Sequence, residues 1–138
     1  MKSLTIATTW GPKYWPNPVQ KCIESTVENW PQHANILYYP DDMSQQLPLD
    51  RVTYYDLCKE QPKLKAFIDK HKDNPTLNPR ITQNKKEAKG FDKDTSIYVY
   101  DAVRFSYKVF ACIDAYQKTK PDMLWFLDAD LLTFEKIP

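Results

Sequence analysis

Trp125-Phe-Leu-Asp-Ala-Asp-Leu-Leu-Thr-Phe134 is the stretch whose reading decides the fold. The apolar run Met123 to Leu127 follows the breaker Pro121-Asp122 and stops abruptly at Asp128-Ala129-Asp130. A short, aromatic-rich run with such boundaries predicts a buried strand. Its lack of interruption predicts a sheet covered on both faces. Asp is depleted inside strands, so the two carboxylates mark the strand's C-terminal end. In open α/β sheets that end is where ligands bind. Residues two apart on a strand point the same way, which places Asp128 beside Asp130. Paired carboxylates repel unless something positive lies between them. A hard divalent cation such as Mg²⁺ or Mn²⁺, bound through oxygens and shared with a substrate phosphate, meets that need. The plainer alternative is a turn in which one Asp caps and the other is solvated.

Upstream lies the longest helical pattern, from Tyr98 to about Thr119. Ala102, Phe105, Val109, Cys112, Ile113 and Tyr116 form one stripe, which Val103, Tyr107 and Phe110 widen. So broad an apolar surface predicts a largely buried helix. Only Asp101, Arg104 and Lys108 remain as a polar stripe. Arg104 and Lys108 stand at i,i+4, where like charges cost roughly 0.2–0.5 kcal/mol. On a buried helix they call for an anion. Asp101 is one partner for Arg104, and Asp128 is one for Lys108.

The segments Tyr100-Asp-Ala-Val-Arg-Phe-Ser-Tyr-Lys108 and Met123-Leu-Trp-Phe-Leu-Asp-Ala-Asp130 together resemble the core of glycosyltransferases of the GT-A fold. They are particularly similar to the small enzymes of this type found in phage and environmental sequences. The resemblance runs from Leu4 to Pro138 and is strongest from Tyr100 onward. It implies a Rossmann-like α/β domain with a mainly parallel sheet flanked by helices. It also implies that a nucleoside-diphosphate sugar, with a UDP-sugar favoured, is held through Mn²⁺ or Mg²⁺ at the D-x-D. Asp130 would then ligate the metal directly, and Asp128 would contact the ribose or the metal shell. The diphosphate becomes a second candidate partner for Arg104 and Lys108. The loop after the first strand would border the base, giving roles to Thr8, Thr9 and Trp10; alternatively Trp10 packs over the sheet edge in a structural turn. Asp41 after the second strand would meet ribose or base, or else belong to a plain turn. Much follows the D-x-D in such enzymes, so residues 1–138 are expected to form one nucleotide-sugar-binding domain, incomplete at the C-terminus. The acceptor is not readable, and no catalytic residue is assigned. A non-catalytic nucleotide-sugar-binding or scaffold fragment is the competing reading. A phosphatase of the haloacid dehalogenase type fits less well. Its motif wants Thr or Val where Leu132 stands, and it opens its domain.

Composition supports a globular chain of one domain. With 42% hydrophobic and 14% aromatic residues in 138, disorder is excluded and one core is affordable. A net charge of +1 gives no field that favours nucleic acid or an anionic membrane. Only two glycines are present, so no glycine-rich phosphate loop can be built. Any phosphate must be held by metal, side chains or helix ends. Cys22, Cys58 and Cys112 are odd in number and form no C-x-x-C, which with no signal-peptide pattern points to a reduced cytoplasm, the host's if the protein is viral. Cys22 and Cys112 read as core thiols. His33 and His71 read as surface residues. No apolar run approaches the roughly 20 residues of a membrane span.

From the start of the chain, Leu4 to Thr9 is β-prone and ends at Trp10-Gly11-Pro12. Asn17 is expected as N-cap and Pro18 as first helical residue of a helix carrying Val19, Ile23, Thr26, Val27 and Trp30 at helical spacing. Asn35 to Tyr39 reads as a second strand. This strand–helix–strand spacing predicts a right-handed crossover and parallel pairing. Pro62 to His71 reads as an amphipathic helix with Leu64, Phe67 and Ile68 inward. Residues 73–94 are polar and punctuated by Pro75, Pro79 and Gly90, which predicts a long loop. Its Lys85, Lys86 and Lys89 either form a solvated surface or attract an anionic substrate.

Overall fold

In the computed structural model, which describes residues 1–92, 96 and 100–138, the strand–helix alternation resolves into an α/β fold. The central strand is β1 (Leu4–Trp10). It is flanked by β2 (Asn35–Pro40) and by β4 (Met123–Phe126), with β3 (Val52–Tyr54) outside β2. All pairings are parallel, and Ile6 lies opposite Ile36 on one side and Trp125 on the other. The sheet is compatible with a Rossmann-like arrangement. Strands expected at the two ends of the chain are thus neighbours, as the alternation predicts.

Period-2 side-chain alternation gives β1 two different faces. Ile6, Trp10, Ile36 and Tyr38 pack against Val19, Ile23 and Trp30, from α1 (Val19–Asn29) and its C-terminal end. Ala7, Leu37 and Tyr39 face the other way. They meet Leu57 of α2 (Leu57–Glu60), Leu64 of α3 (Pro62–His71), and Ala111 and Ala115 of α5 (Ala102–Thr119). Burying an Ile or Leu fully contributes about 1.5–3 kcal/mol, far more than a solvent-exposed ion pair. The two apolar layers therefore set the fold, and the charged groups are arranged on top of it. Among the described residues, no helix is long and apolar enough to cross a membrane.

Several expectations need correction. β4 is an edge strand, not a doubly covered one: Met123 and Trp125 are 45% and 48% exposed. Trp125 instead meets Trp30 edge-to-face at 5.6 Å. The α5 stripe read as inward also faces out, with Val109 56% and Tyr116 57% exposed. Phe105 and Ile113 are exposed with them, and Cys112 is half-buried. The small residues Ala111 and Ala115 face the sheet because they let helix and strands approach closely. α5 begins at Ala102, where Asp101 caps it by accepting from the Arg104 backbone N–H at 2.9 Å. Tyr98 and Val99, placed in the helix by the sequence pattern, lie outside the described residues. Asn17 does not cap α1, which starts one residue later than expected, with Pro18 at the N-cap.

The expected long loop contains α4 (Arg80–Ala88). Most of its residues are good helix formers, but they carry no apolar stripe, so hydrophobic periodicity does not reveal it. The short elements β3 and α2 were also hidden. Pro62–His71 forms as expected, with Leu64 fully buried.

Candidate functional site

β1 and β4 run parallel, so their C-terminal ends open on the same side of the sheet. A cavity of about 290 Å³ lies there, lined by Thr9, Trp10, Tyr14, Arg80, Asp101, Arg104, Phe105, Lys108, Asp128, Ala129 and Asp130. A neighbouring hollow continues past Arg104 to Asp41 and Tyr107. Five elements or their connections thus converge at the edge where parallel sheets bind ligands.

The D-x-D is not on the strand. β4 ends at Phe126, and the Leu131 N–H closes a turn onto the Asp128 carbonyl at 3.1 Å. The same-face argument for Asp128 and Asp130 therefore fails, although the turn still delivers both to the cavity. The chain beyond is fastened to α1. Ser25 Oγ accepts from the Thr133 N–H at 3.1 Å, Asn29 Nδ2 donates to the Thr133 carbonyl at 2.6 Å, and Trp30 Nε1 donates to Thr133 Oγ1 at 3.0 Å. These bonds hold the turn against the sheet edge.

Charge in the site is almost fully paired. Arg80 Nε donates to Asp101 at 2.5 Å, and Asp101 is buried. Arg104 Nη1 donates to Asp41 at 3.1 Å, and its guanidinium lies 5.2 Å from the Tyr107 ring centre. Lys108 Nζ pairs with Asp128. Asp130 forms no hydrogen bond or ion pair among the described residues. It is therefore the carboxylate left without a countercharge. Asp101, one of the partners open to Arg104 from sequence, takes the Arg104 backbone N–H and Arg80, and the Arg104 guanidinium goes to Asp41.

Burial raises the Asp41 carboxyl above its ordinary range, an effect that the Arg104 charge and hydrogen bond only partly oppose. The Tyr107 hydroxyl is pushed up to about 12, first by burial and then by the Asp41 charge. Behind the D-x-D turn, burial pushes the Cys22 thiol up to about 11, with Asp130 and Asp128 adding to the rise. Cys22 Sγ lies 3.8 Å from the Asp128 carbonyl.

Of the residues singled out from sequence, Thr9, Trp10, Arg104, Lys108, Asp128 and Asp130 share the cavity. Asp41 joins through Arg104. Thr8 does not line it; strand alternation turns Thr8 toward α1, where it is buried. Thr8 Oγ1, Thr9 Oγ1 and Trp10 Nε1 are all buried and have no hydrogen-bond partner among the described residues. A buried polar atom without a partner costs about 1–3 kcal/mol, so these three count against stability. Trp10 itself is held by a stacked Trp15 at 6.2 Å and by Tyr38 edge-on at 5.7 Å. Arg80 and Tyr14 were missed by the sequence reading. The signal for Arg80 was Asn78-Pro79 ahead of a run of helix formers, which places Arg80 at a helix start.

The chemistry of the donor set can be weighed against the divalent ion that the resemblance implies. Among the described residues, no group of three or more His, Cys, Asp or Glu side chains is placed to hold a metal. Asp128 and Asp130 alone do not make an all-protein cage. They suit an ion that keeps waters and takes further oxygens from a phosphate, as Mg²⁺ does in sites with one or two carboxylates. Compared with known proteins, the chain matches no protein-family model, no curated protein and no solved structure.

Proposed function

We propose that this chain is the donor-binding part of a glycosyltransferase of the GT-A type, which holds a nucleoside-diphosphate sugar with a divalent cation at Asp128 and Asp130. The observation that carries the reading is one cavity at the C-terminal edge of a parallel sheet. It gathers Asp130, which is unpaired among the described residues, the cations Arg104 and Lys108, and the side chains of Thr9 and Trp10. That combination suits a ligand with a polar ring at one end and a diphosphate at the other. Thr9 and Trp10 would border the base or ribose. Arg104 and Lys108 would meet phosphate oxygens through charge-assisted bonds. Asp130, and Asp128 once released from Lys108, would face the cation. When bound, the metal would supply Lewis-acid stabilisation of the departing diphosphate. The sheet edge and the turn fastened by Thr133 keep the carboxylates fixed while the ligand exchanges.

UDP is the favoured nucleotide on the resemblance alone, and the acceptor is unassigned. The test is calorimetric titration of UDP with Mn²⁺ into the wild type and into Asp130→Asn. Asp130 is exposed and lies outside both apolar layers, so the variant is expected to keep its fold while metal-dependent UDP binding falls at least tenfold. Unchanged affinity in Asp130→Asn would remove the metal assignment. Equal, metal-independent binding of uridine and UDP would remove the diphosphate reading.

A further inference from the structure

Lys108 and Asp128 are where the proposed site opposes itself, because the cation and the carboxylate that would serve two different parts of a ligand are spent on each other. The other two pairs differ from this one. Asp101, which holds Arg80, is buried and also caps α5. Arg104 is only 21% exposed, lies against Tyr107, and is gripped by an Asp41 side chain only 23% exposed. The Lys108 side chain is 38% exposed and that of Asp128 is 55% exposed. Ion pairs this open to water are weak and exchange readily. The Lys108 ammonium lies 5.8 Å from the Phe105 ring centre and 5.5 Å from that of Phe126. Its stem is flexible, and its ammonium is a mobile point charge with three donors. It can pass from Asp128 to a neighbouring anion without disturbing α5.

We infer that Lys108 is a positioning residue that holds Asp128 closed to a cation until a diphosphate takes its ammonium, so that metal and diphosphate enter the site together. The inference rests on the donor-binding reading above. A divalent cation arriving alone meets Asp130 with Asp128 already claimed and a positive charge beside it. A diphosphate arriving alone meets Arg104 and Lys108, but with Asp130 uncompensated. Arriving together, the diphosphate accepts from Lys108 and both carboxylates become available. The device thus discriminates against bare metal ions and against nucleosides, which have no phosphate to draw Lys108 away.

The experiment measures Mn²⁺ binding, by the loss of the free-ion electron paramagnetic resonance signal, with and without saturating UDP. It uses the full chain as wild type, Lys108→Met, Lys108→Arg and Arg104→Met. Lys108→Met is expected to bind Mn²⁺ alone roughly three- to tenfold more tightly than wild type, because Asp128 is freed and a nearby charge is gone. The factor by which UDP strengthens Mn²⁺ binding should shrink correspondingly. Lys108→Arg should restore the wild-type coupling, and Arg104→Met should alter Mn²⁺ binding without UDP by less than about twofold, since its partner is not Asp128. If Lys108→Met binds Mn²⁺ alone no more tightly than wild type, while wild type still binds UDP with Mn²⁺, the inference is overturned and the donor-binding reading survives. An equal gain in Arg104→Met would also overturn it, because a general field rather than a specific hold would be responsible. Absence of UDP-dependent Mn²⁺ binding in every variant would overturn both.

Discussion

Asp114→Ala is the substitution that tests the packing of α5 most sharply. Asp114 is 1% exposed and sits in the inward face of the helix. It accepts from Tyr39 Oη at 2.8 Å, from Gln61 Nε2 at 2.8 Å and from Lys118 Nζ at 3.1 Å, tying α5 to β2 and to the end of α2. The three donors fare differently when the carboxylate is removed. Lys118 keeps Glu60 at 2.8 Å, and Gln61 keeps Gln117 at 2.9 Å. Tyr39 is 1% exposed, and among the described residues its hydroxyl has no acceptor besides Asp114. Its hydroxyl becomes a buried donor without a partner, worth about 1–3 kcal/mol. The weaker losses at Gln61 and Lys118 add about 1 kcal/mol. The total is about 2–4 kcal/mol, somewhat under the roughly 3–5 kcal/mol of a broken buried pair because Lys118 is not left buried and alone. Urea unfolding followed by tryptophan fluorescence measures it. With a slope of about 1–3 kcal/mol per molar urea, a loss of 3 kcal/mol moves the midpoint by about 1–3 M. The decisive comparison is Tyr39→Phe. Alone it removes one bond at a cost of about 1 kcal/mol, but in the Asp114→Ala background it removes the orphaned hydroxyl and is expected to restore stability. If Asp114→Ala costs less than about 1 kcal/mol, or if the two substitutions add within about 0.5 kcal/mol, the network does not fasten the helix as described.

Asp41 supplies a pH dependence whose sign follows from its raised carboxyl. A group with a folded pKa above its unfolded one, near 3.9 for Asp, contributes stability that is fully present below the unfolded value and lost as pH rises through the folded one. Asp41→Asn is therefore expected to be at least as stable as wild type at pH 7, with the difference closing as pH falls through the raised folded value and gone by about pH 4, read from thermal melts across pH. The outward stripe of α5 predicts that Val109→Lys changes stability by no more than about 0.5 kcal/mol, whereas Ala111→Leu, forced between helix and sheet, costs about 1–3 kcal/mol by urea unfolding. The reverse order would return the helix to the orientation that its apolar pattern suggested.

The parts of this structure legible in the sequence are those where one physical signal stands alone. β1, β2 and β4 are apolar runs between breakers, and Arg104, Lys108, Asp128 and Asp130 are charges abutting apolar segments. The orientation of α5 was not legible because apolar residues cover most of its circumference. When every face is greasy, periodicity has no contrast, and the choice falls to the small Ala111 and Ala115. α4 failed in the opposite way, since a helix made of polar helix formers has no stripe at all. The pairing inside the site was hidden for a different reason. Arg104 chooses Asp41, 63 residues away, over its neighbour Asp101, because Asp101 is committed to capping α5 and to Arg80. Such choices depend on competition in three dimensions, and spacing along the chain does not record them.

The outer rim of β4 has a bearing on how this molecule behaves in a crowded solution. β4 ends the sheet on one side, so its rim carries a row of amide and carbonyl groups with no strand beside them among the described residues. Met123 and Trp125 flank that row half open to water, and Leu131, Leu132 and Phe134 are exposed just beyond it. Natural sheets blunt such rims with lysines, prolines or bulges that deter accretion. Met123–Phe126 contains no charge and no proline, so its gatekeepers are the flanking Pro121, Asp122 and Asp128. With a net charge of +1, long-range repulsion does little to hold copies apart. Of the sheet's two rims this one combines an open backbone row with exposed apolar side chains, which makes it the place where a second strand would most readily add.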